Sequence, residues 1–396
     1  MSPVSPFLVL PPLAMALLTA KLFMRLSDKR PPLVQYIPID GLRGYLAFCV
    51  FLHHASLWYF YLHTNVWGEP PSRVYVHFGG MSVSLFFMIT GFLFFRKLIN
   101  NNKKPVDWLR LFVSRILRLY PVYLIALLFG FSIVFVLSSW KMNDRPISFV
   151  HEIFQWSAFT IVGKPPINNT TYMDFITAGV TWTLIYEWLF YLSLPVIGLI
   201  FFRVRPNVII LLLSIFFVFT ICRFNLLKPI NFYSFGAGLL AAFLVRSKRF
   251  VAIIPRKIYS VLAILCLAAA IYFFETPYEI IPLTLIAIAF IIIAGGNSLF
   301  GLLSNKVSRM IGQISYPMYL LHPILLFVTF RFALGFDNTV QEPVYIYWLI
   351  ISVCASALVL VCFAVHYFVE LPAMNTTEKV TVGIRRLFRS DHENRH

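Results

Sequence analysis

Residues 37–62 read IPIDGLRGYLAFCVFLHHASLWYFYL, and this stretch decides the fold class. It is apolar over most of its length, and as a helix it is long enough to cross a hydrocarbon core of ~30 Å, which takes about 20 residues. Stretches of similar character recur along nearly the whole chain. The sequence therefore predicts an all-α, polytopic transmembrane bundle of about 10–11 spans.

Helices are expected over eleven segments. In chain order these are about 7–24, 37–62, 78–98, 117–139, 178–202, 207–222, 230–246, 257–274, 279–295, 311–333 and 344–369. The first segment is short, contains Pro11 and Pro12, and lacks the preceding basic residue that is usual in a signal peptide. An uncleaved extra helix is the preferred interpretation, and a disordered or interfacial segment is the alternative.

The composition excludes a soluble globular domain. Hydrophobic residues make up 59% of the 396-residue chain and charged residues 12%, and the mean hydropathy is +0.79. The five cysteines lie within apolar stretches, and their spacing forms neither a disulfide framework nor a zinc motif. The formal net charge of +17 raises the question of a nucleic-acid partner, which depends on where the charges lie.

The basic residues follow the positive-inside pattern of membrane proteins. With the N-terminus outside, most of the 33 Lys and Arg residues fall in cytoplasmic segments, whereas the outer segments hold acidic residues such as Glu69 and Glu275. The inner set includes Lys103, Lys104, Arg203, Arg205, Arg389 and Arg395. We therefore predict an outer N-terminus, a cytoplasmic C-terminus and no nucleic-acid partner.

Ionisable side chains inside a span are costly and are functional candidates by default. Arg43 and His54 are eleven positions apart, which places them on one helix face about 16 Å apart along the axis. His54 is suited to take a proton from a hydroxyl, since imidazole exchanges protons near neutral pH. His53 points about 100° away from that face. A hydrogen bond to a neighbouring helix is the alternative, but the face shared with Arg43 favours function.

Glu187 lies ~15 Å from the outer end of its span, at a depth similar to that of His54. A carboxylate there would orient or charge-stabilise the imidazole. A structural ion pair or hydrogen bond between helices is the alternative. The sequence leaves both open.

His322 also lies deep in a span, between Pro317 and Pro323, which predict a distorted helix that lines a cavity. A structural role and a substrate-contacting role fit this position equally well. His366 and Glu370 lie at the inner end of the last span, where proximity to water favours a structural role over a functional one.

Arg110, Arg115 and Arg118 lie at the inner face of the membrane. Guanidinium groups suit phosphates because they form bidentate hydrogen bonds. Positive-inside anchoring is the competing explanation, and from these residues alone it is the preferred one because it requires no ligand.

Taken together, these segments resemble acyltransferase family 3, the integral membrane acyltransferases that acylate bacterial surface glycans and some other hydroxylated acceptors. The opening motif is Ile39–Gly44, whose Arg43 precedes His54, the position taken as catalytic in the family. The later motifs are Val83–Leu93, the basic segment through Arg115, Arg118 and Pro121, Trp182–Glu187 with Phe190, Tyr191 and Pro195, Phe235–Gly238, Ser315–His322, and Tyr367 with Glu370 and Pro372. Their order and spacing together carry the resemblance.

Two positions depart from the family pattern. Ser84 stands where many members carry Asp, and Thr90 where many carry Ser, so no acidic role is carried over to position 84. No soluble esterase-like (SGNH) domain, which some relatives append, is expected after the last span. The membrane domain is therefore expected to transfer the acyl group alone or to hand it to a separate protein.

The resemblance implies an O-acyltransferase that moves an acyl group, most often acetyl, from cytoplasmic acyl-coenzyme A to a hydroxyl of a surface or lipid-linked glycan. O-antigen of lipopolysaccharide is one such acceptor, and the expected location is the bacterial inner membrane. No metal is expected, membrane lipid is an expected partner, and the oligomeric state is undetermined. The expected site residues are His54, Glu187 and Arg43 for catalysis, Arg115, Arg118 and Arg43 for acyl-coenzyme A, and Trp182, Tyr316 and His322 for the acceptor.

The predicted organisation is an N-terminal extension with an extra helix at 1–35, an acyltransferase domain at 36–372 and a basic cytoplasmic tail at 373–396. The main alternative function is a transporter or flippase for a lipid-linked or polar solute, since many spans with a few buried charges describe transporters as well. Paired halves with matching broken helices, a frequent transporter feature, are not evident in the sequence.

Overall fold

The computed structural model describes residues 2–31, 35–100, 106–202, 204 and 206–393, with side chains described up to residue 387. Its regular elements are helices, and apart from one isolated bridge between Ile167 and Thr170 these residues form no β-structure. The predicted all-α class is confirmed.

Eighteen α-helices make up the described chain. They are α1 (Leu10–Ser27), α2 (Ile37–Thr64), α3 (Arg73–Ile99), α4 (Trp108–Leu137), α5 (Pro146–Ser157), α6 (Tyr172–Ile176), α7 (Trp182–Phe202), α8 (Val208–Phe224), α9 (Ile230–Leu244), α10 (Lys248–Ile253), α11 (Lys257–Phe273), α12 (Ile280–Ala294), α13 (Lys306–Gln313), α14 (Ser315–Val328), α15 (Phe336–Val340), α16 (Val344–Val365), α17 (Leu371–Asn375) and α18 (Thr377–Glu393). A π-helical segment, Thr329–Leu334, extends α14, and a second one, His366–Glu370, links α16 to α17.

Seven of the described helices are long and apolar enough to cross a membrane. They are α1 with the turn before it, α2, α3, α4, α7, α14 with its π-helical extension, and the long helix that starts with α16. Four shorter apolar helices, α8, α9, α11 and α12, coincide with the remaining predicted segments. The chain is an integral, multi-pass membrane protein.

The orientation of these helices relative to the cytoplasm stays a prediction. Among the basic residues on which it depends, Lys103, Lys104, Arg203, Arg205 and Arg395 lie outside the described residues, as does the side chain of Arg389.

The predicted N-terminal helix is present as α1, and its Thr19 hydroxyl donates a hydrogen bond of 3.0 Å to Ser356 on α16.

One helix boundary differs from the prediction in a way that affects the site. Helix α4 begins at Trp108 rather than near residue 117, because Asp107 caps it. The Asp107 carboxylate accepts a hydrogen bond of 3.1 Å from the backbone N–H of Arg110. As a result, Arg110 and Arg115 lie on the first turns of the helix rather than in a connecting segment, and they share that helix with Arg118, which the prediction already included.

The chain divides into two compact units. The first unit comprises Met1–Arg96, Ile176–Val180 and Leu227–Cys362, and the second comprises Lys97–Phe175, Thr181–Leu226 and Phe363–His396. The opening motif on α2 belongs to the first unit. The arginines of α4 belong to the second.

In the first unit, α2 packs backbone to backbone on α13 and the turn before it. A methyl group on Gly41 would lie 1.9 Å from the carbonyl oxygen of Leu303, and one on Gly312 would lie 1.9 Å from that of Asp40. Only glycine permits so close an approach. The opening motif therefore fixes the position of α2, and with it the positions of Arg43 and His54.

Helices α3 and α9 of the first unit meet in the same way. A methyl group on Gly238 would lie 2.3 Å from the carbonyl oxygen of Met88, and one on Gly91 would lie 2.5 Å from that of Phe235. The rings of Phe87 and Phe235 stack beside this contact, with centroids 4.8 Å apart. The motifs at 83–93 and 235–238 thus pack against each other.

In the second unit, the segment between α4 and α7 folds around Asn168. Its side chain accepts a hydrogen bond of 2.7 Å from the backbone N–H of Asn143 and donates one of 2.9 Å to the carbonyl of Lys141. Its backbone N–H donates to the buried carboxylate of Glu152 at 3.0 Å. Burial, together with a hydrogen bond to Asp144, raises the pKa of Glu152 above its ordinary value.

Candidate active site

His54 lies just past the middle of α2 and is buried, with 8% of its surface exposed. Its Nδ1 atom is 3.0 Å from the carbonyl oxygen of Val50, one turn earlier. A carbonyl oxygen only accepts hydrogen bonds, so the neutral ring carries its proton on Nδ1 and its lone pair on Nε2. The Nε2 atom is therefore the one that can accept a proton from a hydroxyl group.

His322 on α14 is fully buried and contacts His54 directly. Its Nε2 atom lies 3.0 Å from Nδ1 of His54, and the ring centroids are 4.9 Å apart. Its own Nδ1 atom lies 3.0 Å from the carbonyl oxygen of Met318. The sequence placed both histidines deep in their spans, but only the packing of α14 on α2 reveals that they touch. Acceptor binding by His322 stays a prediction.

His53 faces a different helix, in agreement with the predicted angle between the two neighbouring histidines. Its Nδ1 atom lies 2.8 Å from the carbonyl oxygen of Tyr75 on α3. Gly79 on α3 makes room for the ring, since a methyl group there would lie 2.9 Å from His53. The geometry assigns His53 to the packing of α2 on α3.

Arg43 is half-buried and lies on the same uninterrupted α-helix as His54. The regular helix over Ile37–Thr64 satisfies the geometric premise of the prediction, which requires helical spacing between the two residues. The roles predicted for Arg43, in catalysis and in acyl-coenzyme A binding, stay predictions.

In the second unit, Arg115 on α4 is linked to two side chains of α7. Its guanidinium donates a hydrogen bond to the hydroxyl of Tyr191, and Glu187, one turn before Tyr191, interacts electrostatically with both. The structure thus gives Glu187 a cationic neighbour in its own unit. Its predicted influence on His54, which belongs to the other unit, stays a prediction.

Arg118, also on α4, is paired with a carboxylate that the sequence analysis left without a role. The Nε atom of Arg118 lies 3.9 Å from Oε1 of Glu370, and Oε2 of Glu370 lies 2.7 Å from Nδ1 of His366. Glu370 closes the π-helical segment that His366 opens, and π-helical turns are frequent at functional sites. The spacing of four residues between His366 and Glu370 is the signal that could have identified this pair in the sequence.

The predicted acceptor-binding residues Trp182 and Tyr316 lie at the starts of α7 and α14, respectively. Both are half-buried, and the Trp182 ring meets Tyr186 edge to face at a centroid distance of 5.5 Å. Near Tyr316, the hydroxyl of Tyr319 donates a hydrogen bond of 3.0 Å to the carbonyl of Val180. Contact with an acceptor stays a prediction for Trp182 and Tyr316.

Within the part of the chain that the structure describes, no group of three His, Cys, Asp or Glu side chains is arranged to hold a metal ion. In the first unit the imidazoles of His54 and His322 contact each other, and in the second unit Arg118 pairs with the carboxylate of Glu370. The expectation that no metal takes part stays a prediction.

The comparison with protein families identifies the chain. A family model described as an acyltransferase domain, that of acyltransferase family 3, matches residues 36–367. The chain belongs to acyltransferase family 3. Neither the curated proteins nor the solved structures contain a match to it.

The matched range of this acyltransferase contains Arg43, His54, Glu187, His322 and the arginines of α4. Membership confirms the predicted enzyme class and separates the chain from the transporter alternative. Family membership and the apolar helices together show that the chain is an integral membrane acyltransferase.

Proposed function

We propose that this acyltransferase moves an acyl group, acetyl in the first instance, from cytoplasmic acyl-coenzyme A to a hydroxyl of a surface or lipid-linked glycan in the bacterial inner membrane. The observation that carries the proposal is the contact of His54 Nδ1 with the Val50 carbonyl, which leaves the lone pair on Nε2. A hydroxyl needs such a base to attack a thioester near neutral pH. The family resemblance supports the choice of donor and acceptor.

The proposed step is an acyl substitution at the thioester carbonyl. The acceptor oxygen bonds to the carbonyl carbon while its proton passes to Nε2 of His54. The carbon–sulfur bond then breaks, and the coenzyme A thiolate takes the proton from the imidazolium. The products are an ester and free coenzyme A, and His54 returns to its neutral form. In a covalent variant of the step, the same Nε2 atom carries the acyl group transiently.

For the donor, we propose that Arg115 and Arg118 bind the coenzyme A phosphates, together with Arg43. Tyr191 orients Arg115, and Glu370 orients Arg118. A guanidinium that is already oriented loses less side-chain freedom when it binds a phosphate. Both partners, Tyr191 and Glu370, are buried, whereas Glu378, the partner of Arg110, is exposed. The buried partners distinguish Arg115 and Arg118 from arginines that only follow the positive-inside pattern.

For the acceptor, we assign Trp182 and Tyr316 from the family motifs. Aromatic rings offer flat, amphipathic surfaces for the apolar faces of sugar rings. The burial of His54 also serves the reaction, since excluding water limits hydrolysis of the thioester.

The proposal is tested with the full chain in lipid nanodiscs, using labelled acetyl-coenzyme A and a glycan fraction from the host cells. The test compares His54→Gln with His63→Gln. His63 is a matched control because it lies on the same helix and is exposed, and its Nδ1 atom, like that of His54, contacts the carbonyl oxygen one turn earlier, that of Tyr59, at 2.7 Å. We expect His54→Gln to lose at least about 100-fold in acyl transfer, as for loss of a general base, and His63→Gln to retain it.

Two results would refute the proposal. One is full acyl transfer by His54→Gln at equal amounts of folded protein. The other is unchanged acylation, by mass spectrometry, of surface glycans from cells that lack the protein.

A further inference from the structure

The contact between His54 and His322 has one arrangement of protons that satisfies its hydrogen bonds. Nδ1 of His322 lies 3.0 Å from the carbonyl oxygen of Met318, and the carbonyl of Tyr319 contacts the same ring. Because carbonyl oxygens only accept, the neutral ring of His322 carries its proton on Nδ1. Its lone pair is then on Nε2, the atom that lies 3.0 Å from His54.

Nδ1 of His54 consequently meets two acceptors, the Val50 carbonyl oxygen and Nε2 of His322, each at 3.0 Å. A proton on Nδ1 is shared between them. The other tautomer of His54 would place a lone pair against both acceptors, and buried polar atoms without their hydrogen bonds cost about 1–3 kcal/mol each. The pair therefore favours the tautomer of His54 whose lone pair is on Nε2.

We propose that His322 is a positioning residue: it holds His54 in the tautomer that accepts the substrate proton and stabilises the imidazolium that then forms. The inference rests on the proposed role of His54 as the base. Once Nε2 is protonated, the hydrogen bond from Nδ1 of His54 to His322 becomes charge-assisted, and such bonds are about twice as strong as neutral ones.

This role corresponds to that of the aspartate in a Ser-His-Asp triad, which also receives the Nδ1–H of the catalytic histidine. A neutral imidazole performs it here without placing an anion deep in a membrane span, where an isolated charge is costly. His322 acts through His54 and needs no contact with the substrate.

The test compares His322→Leu, which removes the acceptor, with His322→Gln, whose side-chain amide oxygen can receive the same hydrogen bond. The full chain is assayed in nanodiscs with acetyl-coenzyme A and the glycan fraction. We expect kcat to fall about 10- to 100-fold in His322→Leu, with the half-saturating concentrations of both substrates unchanged, and to recover largely in His322→Gln.

Nitrogen-15 NMR of histidine-labelled protein provides a second readout, in which the His54 signals are those that disappear in His54→Gln. In the wild type we expect a protonated Nδ1 and an unprotonated Nε2. In His322→Leu we expect this preference to weaken, and in His322→Gln to persist. If His322→Leu fails to fold, His322→Phe, which also lacks a hydrogen-bond acceptor but keeps a planar ring, takes its place in both measurements.

Wild-type kcat in His322→Leu would overturn the inference, as would a change confined to the half-saturating concentration of the acceptor, which would mark His322 as a substrate contact. An unchanged His54 tautomer in both variants would also overturn it. These results leave His54 as the base. Full activity of His54→Gln would instead refute the proposed function itself.

Discussion

Glu370 lies one helical turn after His366, and its Oε2 atom is 2.7 Å from Nδ1 of His366. Its other oxygen lies 3.9 Å from Nε of Arg118. The Glu370 side chain is 1% exposed, whereas that of Arg118 is 22% exposed. A buried carboxylate thus fixes a guanidinium that remains accessible. This arrangement suits the binding of an anion, because Arg118 is oriented before the anion arrives.

The first prediction concerns Glu370→Gln. Removing one partner of a buried ion pair typically costs about 3 kcal/mol or more, so we expect a lower unfolding temperature in detergent or nanodiscs. If Arg118 binds the donor, the half-saturating concentration of acetyl-coenzyme A should rise several-fold with little change in kcat. Steady-state kinetics of the folded fraction measures this.

The control for Glu370→Gln is Glu378→Gln, which removes the exposed partner of Arg110, 3.2 Å away. Exposed pairs contribute about 0–1 kcal/mol, so stability and kinetics should barely change. An unchanged donor saturation curve for Glu370→Gln would contradict a positioning role for Glu370.

A second prediction addresses the donor site directly. Hydrogen bonds to charged groups contribute about 1.5–3 kcal/mol each, so Arg115→Gln combined with Arg118→Gln should weaken coenzyme A binding at least about 10-fold. Calorimetric titration with coenzyme A measures this without any acceptor. Arg110→Gln, which changes an exposed arginine of the same helix, should bind normally. Equal affinity of the double variant and the wild type would rule out the phosphate site.

Glu187→Gln separates two roles for this carboxylate. If Glu187 tunes His54, kcat should fall and the half-saturating donor concentration should stay constant. If Glu187 instead orients Arg115, its neighbour in the second unit, the half-saturating concentration of the donor should rise. We expect a fall in kcat, following the family motif, and kinetics with varied acetyl-coenzyme A distinguishes the two. A variant with neither change would remove Glu187 from the site.

The glycine contacts predict opposite effects for two positions on α9. Gly238→Ala places a methyl group 2.3 Å from the Met88 carbonyl oxygen, so α3 and α9 must separate, and overpacking of this kind costs about 1–3 kcal/mol. Gly236→Ala, two residues earlier, meets nothing within 4 Å and should gain about 0.5–1 kcal/mol from helix propensity. Thermal unfolding measures the stability of each variant. Equal unfolding temperatures of Gly238→Ala and Gly236→Ala would contradict the close approach of α3 and α9.

The raised pKa of Glu152 predicts how stability depends on pH. The folded protein holds the Glu152 proton to a higher pH than the unfolded chain does. The free energy of unfolding therefore falls as the pH rises from the pKa of Glu152 in the unfolded chain to its pKa in the folded protein. Glu152→Gln is neutral throughout and removes this loss. We expect the variant to unfold at a higher temperature than the wild type at pH 7 and at a similar temperature near pH 4. Parallel unfolding curves at both pH values would contradict the prediction.

Much of the fold was predictable because hydrocarbon imposes strict rules on the chain. Without water, backbone groups must be satisfied within each segment, so every long apolar stretch becomes a helix. The eleven predicted segments contain helices for this reason. The start of α4 was missed because arginines interrupt its first, otherwise apolar turns, and the helix is started by the Asp107 cap rather than by a continuous apolar stretch.

The sequence alone determined a helical membrane protein, the acyltransferase family, and His54 and Arg43 as candidates on one face of one helix. These conclusions depend on composition, periodicity and motif order, which are properties of the chain. The partners of each ionisable group were decided only by tertiary structure. His322 meets His54 across 268 positions of sequence, and Glu370, just past the end of the matched range, meets Arg118 on α4. Helical spacing relates residues within one helix, whereas contacts between helices depend on how side chains and glycines pack.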